Sequence, residues 1–286
     1  MRVKYMQRVL LNLFLMAFIT LFFCQRLCAQ IENESYVRHI PSRSAETISG
    51  KVGITQAESE CAYEYKAFGK LPVKFSLATQ YIGIKNTTAV ELPARLIGLT
   101  TDVETTLPFF RFDKTYLRLG VSPSFYADDW DFPASSFRIP LRSFFIYLPN
   151  PRWTFLAGLA VYPDFERKVL PVLGFIYKPN DKLSFNILPK RPNISYALGD
   201  RVSLFAEGGG SINSEFEVDQ GNLKNTVLLY KENRLGLGVK FTPRPHIESY
   251  FSLGGVFNRT IKYKDSLGKV NIKDGMYAEF RIGIKL

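Results

Sequence analysis

The sequence predicts an all-β fold: an antiparallel transmembrane β-barrel of about 12 strands, with 14 as the alternative count, after an N-terminal signal peptide. Three observations carry this expectation. The chain opens with the layout of an export signal. Beyond it no apolar run reaches the ~18 residues that a membrane helix needs. Instead, apolar and polar residues alternate with period two in segments of about ten residues, joined by connections that are mostly short at one end and long at the other.

The export signal comes first. Arg2, Lys4 and Arg8 form a basic head, Val9 to Cys24 is apolar apart from Asn12 and Thr20, and Cys28 and Ala29 are small residues ahead of Gln30. This arrangement places cleavage after Ala29, with an uncleaved anchor as the alternative because the apolar run is slightly long. Phe23 and Leu27 stand where a small residue precedes a lipid-modified cysteine, which argues against a lipoprotein. The resulting organisation is residues 1–29 as signal peptide, 30–50 as an N-terminal extension that is either lumenal or an extra strand, and 51–286 as the barrel.

Composition supports a sheet with much apolar contact. Hydrophobic residues make up 46% and aromatics 14%, with 24 Phe and 15 Tyr against two His. Such a chain can bury enough apolar surface to exclude general disorder. Residues 1–29 contain Arg2, Lys4, Arg8 and Arg26 and no acid, so the mature chain remains basic. Its Lys and Arg are scattered singly along the alternating segments, which argues against nucleic acid as a partner. Outer-membrane lipid and lipopolysaccharide are the expected partners, together with the barrel-assembly machinery. Cys61 is the lone cysteine after residue 29, so no internal disulfide framework is expected.

The strands follow from alternation. In the last segment Met276, Ala278, Phe280, Ile282, Ile284 and Leu286 oppose Tyr277, Glu279, Arg281, Gly283 and Lys285. Upstream, Leu235, Leu237, Val239 and Phe241 oppose Arg234, Gly236, Gly238 and Lys240. Leu117, Leu119, Val121 and Phe125 repeat the pattern, which slips at Pro123, and Val73, Phe75 and Leu77 repeat it again. Short turns rich in Gly, Pro, Asn or Asp fall at 68–70, 111–114, 149–152, 179–182, 199–200 and 243–246. Longer polar connections lie near 85–92, 127–135, 163–169, 213–224 and 265–274. Near Pro189–Pro192 the pattern requires two unusually short strands. Val73 to Leu286 accounts for twelve strands, and Val52–Tyr65 makes an odd thirteenth, so Ile31–Ser59 supplies a further strand or lies partly in the lumen.

Three stretches carry a family resemblance: Trp153 to Phe165, Leu170 to Phe175 with Lys178 to Lys182, and Asn193 to Ala206. On these the chain, from about Lys51 onward, resembles an uncharacterised family of bacterial outer-membrane β-barrels, a domain of unknown function. The resemblance implies location in the outer membrane of a Gram-negative bacterium and a barrel architecture, and it brings no catalytic residues. Phe280, Ile282, Ile284 and Leu286 also look like an outer-membrane assembly signal, departing from the usual pattern by ending on Leu286 where an aromatic residue is common.

No catalytic, metal or cofactor site is expected. His39 precedes the barrel and His246 follows Pro245 in a short turn, so neither sits in an alternating strand beside a Ser. There is no CxxC and no paired His, and Gly208–Ser211 lacks the GK[ST] of a phosphate loop, which leaves thinning of the wall or strand bending as its expected role. Chemistry therefore concentrates on the charges that alternation turns inward: Lys74, Arg118, Arg138, Arg142, Arg234, Lys240 and Arg281, with Glu207, Glu232, Glu248 and Glu279. Four carboxylates leave three of the seven cations over, and Glu32, Glu34 and Glu46 are the nearest extra partners. Either these charges pair across a filled lumen, or they line a small anion-preferring, porin-like channel. The expected role is thus passive transport of small solutes by a non-enzymatic outer-membrane barrel. The alternatives are a structural or surface-interaction barrel with a filled lumen and, more distantly, a lipid-modifying enzyme.

Overall fold

The computed structural model describes residues 31–67, 71–109, 112–163, 165–211, 214–220, 223–265 and 267–286. The expected signal peptide lies outside the described residues. All the β-segments join one sheet that closes on itself as a 14-strand antiparallel barrel. Strands β1 to β4 are Ile31–Ser44, Lys51–Ala67, Leu71–Asn86 and Arg95–Pro108. β5 is Thr115–Val121 with Ser124–Ala127, and β6 is Phe137–Arg138 with Leu141–Asn150; Pro123 and Pro140 stand at the two interruptions. β7 to β10 are Trp153–Val161, Val169–Tyr177, Leu183–Ile187 and Asn193–Ala197. β11 is Val202–Gly210 with Ser214–Gln220, β12 is Leu223–Arg244, β13 is Ile247–Tyr263, and β14 is Lys269–Ile272 with Gly275–Lys285.

Closure is made by β1, which pairs with β14 from Glu32↔Lys285 to His39↔Ala278 and with β2 on its other side. The two chain ends meet there: the Ile31 and Leu286 amides each donate to the other residue's carbonyl, at 3.1 and 2.8 Å. Closure gives the first and last strands a partner on each side, which is what lets barrels span a membrane. Residues 31–44 are therefore wall. The count of about 12 falls short by the two strands at the N-terminus.

Alternation sorts the wall into two faces. Leu173, at 74% exposed, and Leu237, at 70%, lead a set of outward residues that includes Phe75, Leu119, Phe145, Leu159, Leu204, Leu235, Phe251 and Phe280. Trp153 stacks on Tyr177 at 4.0 Å and on Phe155 at 5.2 Å, and Tyr177 on Phe185 at 6.0 Å, beside the short turns. This is the aromatic girdle at one rim of an apolar band. No helix among the described residues is long and apolar enough to cross a membrane; the chain crosses with strands.

Wall height is uneven. β2, β12 and β13 run to 17, 22 and 17 residues, whereas β9 and β10 have five each. On the tall side the sequence's long connection at 213–224 proves to be mostly strand, with Ser214–Gln220 pairing against Leu223–Tyr230. Here the inward face turns apolar: Ile40, Val52, Ile54, Ile82, Leu96, Phe216, Val218, Leu228, Val256, Ile261 and Val270 form a buried core inside the external end. Tyr277 packs below it, over Gly236 and Gly254, where a side chain on either glycine would collide with the ring.

Candidate functional site

Below the apolar core the inward positions are charged. Arg281 pairs with Glu207 at 2.9 Å and reaches Glu34 and Glu279 at 3.8 Å. Glu207 also accepts from the Ser252 hydroxyl at 2.9 Å. Lys240 meets Glu248 at 2.5 Å, where the Tyr250 hydroxyl donates as well. Lys74 pairs with Glu32 at 2.9 Å, Arg118 with Glu104 at 3.4 Å and Arg142 with Asp102. Arg138 pairs with Glu217 at 3.6 Å at the level of the core, Glu217 standing on the face of β11 opposite Phe216 and Val218. Glu232 accepts from the Tyr230 hydroxyl and from Arg38. Arg234 alone of the eleven predicted lumen charges has no ion pair or hydrogen bond among the described residues.

The expected surplus of three cations is corrected by these contacts. Glu32, Glu34, Asp102, Glu104 and Glu217 are all partners, and alternation had assigned none of the last three to the lumen. Glu46 forms no ion pair among the described residues.

The hub of the network is Arg38 on β1, which sequence reasoning missed. It is 1% exposed. Its Nε donates to Glu279 at 2.8 Å, and its Nη1 donates to Gln56 at 2.6 Å and Glu232 at 3.3 Å. Gln56 and Glu279 are its direct cross-strand neighbours, so the register of β1 assembles the site. A guanidinium so enclosed is tolerable only because acceptors surround it.

A second missed feature crosses the lumen. The link between β9 and β10, residues 188–192, turns inward from the wall. Lys190 reaches Glu60 at 3.1 Å and Glu58 at 4.0 Å on β2. Arg191 reaches Glu34 at 3.3 Å and Glu279 at 3.5 Å, and its guanidinium lies 4.7 Å from the Tyr36 ring centre. The sequence signal was the pair Pro189 and Pro192 between two strands too short to span a membrane.

Cavities lie on both sides of this hairpin. One of about 540 Å³ is lined by Arg38, Arg142, Arg167, Lys190, Arg191 and Arg234 but only by Glu58 and Glu232 among acids, with Ile82, Phe144, Leu156 and Leu170 supplying apolar wall. Another of about 390 Å³, toward the short turns, is lined by Lys190, Arg191, Lys240 and Arg281 and by Glu34, Glu58, Glu60 and Glu207. The basic excess is therefore local to the first cavity.

The remaining candidates have other placements. His39 is exposed, with its Nδ1 3.0 Å from the Thr55 hydroxyl, and the His246 carbonyl accepts from the Lys285 amide in the β12–β13 turn. Among the described residues no His, Cys, Asp and Glu cluster could hold a metal ion. Phe280, Ile282 and Ile284 lie on the outward side of β14, opposite Val37, Ser35 and Asn33, and Leu286 follows the strand end.

No family model and no curated protein matches the chain. Solved barrels are similar in outline. An outer membrane channel from Pseudomonas putida F1 has 12% identity and a TM-score of 0.48 over 90% of this chain and 95% of that one. A FadL homologue from Pseudomonas aeruginosa has 12% identity and a TM-score of 0.46, covering 90% and 89%. The NanC porin has 9% identity and a TM-score of 0.41, covering 90% and 100%. At these identities and scores the likeness extends to barrel outline and to no residue of the lumen.

Proposed function

We propose that this chain is a non-enzymatic barrel of the bacterial outer membrane that lets small solutes pass through a narrowed lumen. The observation that carries the reading is the pair of cavities, about 540 and 390 Å³, on the two sides of a hairpin held by ion pairs. A hairpin tethered by Lys190 and Arg191 to wall carboxylates can be released by a competing charge, which a segment packed into an apolar core cannot. Membership in the resembled barrel family, contact with lipopolysaccharide and delivery by the barrel-assembly machinery belong to the same proposal. The lipopolysaccharide contact is supported by the outward apolar band, and the delivery by the alternating C-terminal strand.

The apolar core at the external end favours the second reading, a barrel filled for structure. Osmotic swelling of proteoliposomes separates the two. The transport reading expects swelling in small sugars and amino acids above that of protein-free vesicles. Identical rates with and without folded protein would leave the structural reading.

A further inference from the structure

We propose that the barrel wall has a lateral window, and that the larger cavity behind it takes a single-chain amphipath with an anionic head from the outer leaflet. The proposal rests on reading the lumen as a solute path. β8 pairs with β9 only over Phe175–Tyr177, and β10 pairs with β11 only over Asn193–Ala197. Above those short pairings, Val169 to Leu173 has a strand neighbour on the β7 side alone, and Gly208 to Gly210 on the β12 side alone. Two sheet edges thus face each other with no strand between them among the described residues.

Described residues stand below and above the gap. Its sill is the 188–192 hairpin, where the Pro192 carbonyl accepts from the Gly208 amide at 2.8 Å. Its lintel is Glu166, tied across by its amide to Glu215 at 2.6 Å and by its carboxylate to Lys231 and Lys262. The jambs suit an opening. Pro171 needs no partner for an amide it lacks, and the three glycines have no side chain to block the gap. Val169 stands eight residues above the girdle residue Tyr177, about 20 Å in height for a tilted strand, which keeps the frame within the apolar band.

The larger cavity meets this frame, being lined by Leu170, Pro171 and Val172 on one jamb, by Leu188 and Pro189 on the sill, and by Gly210 on the other jamb. Among its lining residues is Arg234, whose guanidinium lies over the jamb residue Gly209 and has no ion pair or hydrogen bond among the described residues. An apolar rim with an unpaired cation behind it fits a molecule whose chain rests at the window and whose acid reaches Arg234. The window gives this cavity a side route to the outer leaflet that does not cross the apolar core.

The test uses the full barrel in nanodiscs with dansyl-undecanoate and its neutral amide as probes. The carboxylate should bind saturably, and phosphatidylcholine with brominated chains should quench the bound dansyl group. Val172→Trp, which fills the cavity behind the jamb, should weaken binding at least tenfold. Arg234→Gln should weaken the carboxylate about tenfold and leave the amide unchanged, since a charged hydrogen bond is lost. Competition by laurate against lysophosphatidic acid then separates a free acid from a lipid headgroup. The window is overturned by absent saturable binding, by quenching from aqueous iodide in place of brominated lipid, or by wild-type affinity in folded Val172→Trp. Equal weakening of both probes by Arg234→Gln overturns the assignment of the head. Small-solute swelling that persists without probe binding overturns the window alone, whereas absent swelling counts against the proposed function.

Discussion

Replacing Glu279 by Gln keeps the volume of the side chain and removes its charge, so the loss isolates the electrostatics of the lumen hub. Glu279 is 2% exposed, with Arg38 Nη2 at 2.5 Å, Arg191 at 3.5 Å and Arg281 at 3.8 Å. Removing one partner of an enclosed ion pair costs about 3–5 kcal/mol, because the charges left behind cannot be rehydrated. No cavity forms, so the packing contribution is small, and the expected loss is about 3 kcal/mol. Equilibrium unfolding in phospholipid vesicles, read by tryptophan fluorescence, measures it. A cycle with Arg38→Met apportions the loss: the double variant should recover at least ~1 kcal/mol relative to the sum of the single variants. A loss below ~1 kcal/mol, or additivity within ~0.5 kcal/mol, would refute a sealed and mutually dependent network.

Three further outcomes are expected. Leu237→Arg, at an outward position flanked by Val239 and Leu235, should destabilise insertion by about 2–4 kcal/mol relative to Leu237→Ala in the same unfolding assay. Alternation alone turns Gly238 toward the lumen, where Ser is expected to be tolerated. The structure reverses this, because a Cβ there would lie 2.4 Å from both the Phe205 ring and the Phe251 carbonyl, so folding yield should fall. Glu166, in the β7–β8 loop, is held below the usual carboxylate range, first by its hydrogen bond from Lys262. A depressed folded pKa gives stability that is complete above about pH 4.5 and fades as pH falls through the lower folded value. Protection of the 165–168 amides, taken relative to the intrinsic exchange rate at each pH, should therefore fall below pH 4.5, and a fall already complete at pH 6 would contradict the tether.

Much of the barrel was legible because lipid imposes a simple rule on outward residues. Where Leu, Val and Phe recur at every second place, as in β12 and β14, strand and facing follow directly. β1 defeated the rule. Its outward residues include Asn33, Ser35 and His39, and it lies against Ser59 and Cys61 of β2, with Ser35 and Ser59 hydroxyls 2.8 Å apart. A polar outward face carries no alternation signal, so Arg38 opposite it went unseen. The tall strands were hidden for the opposite reason: at the external end the inward face is apolar, with Phe216, Val218 and Leu228 in the core, while Glu215 and Glu217 on the other face of β11 are buried as well. Of the lumen, direction was readable from alternation, but partners were not. Pairing of Arg142 with Asp102 or of Arg138 with Glu217 depends on register and barrel curvature, which a single sequence does not encode locally. The inward turn of residues 188–192 was marked only as an irregularity between prolines.

Single-channel recording in planar bilayers tests most directly whether the lumen is a path held narrow by the Lys190–Arg191 hairpin. Wild-type protein should give small, infrequent conductance steps, and Lys190→Gln with Arg191→Gln should give larger and longer ones, since the ties to Glu34, Glu58, Glu60 and Glu279 are gone. Silence in both proteins, with folding verified in the same bilayers, would contradict a solute path through this barrel.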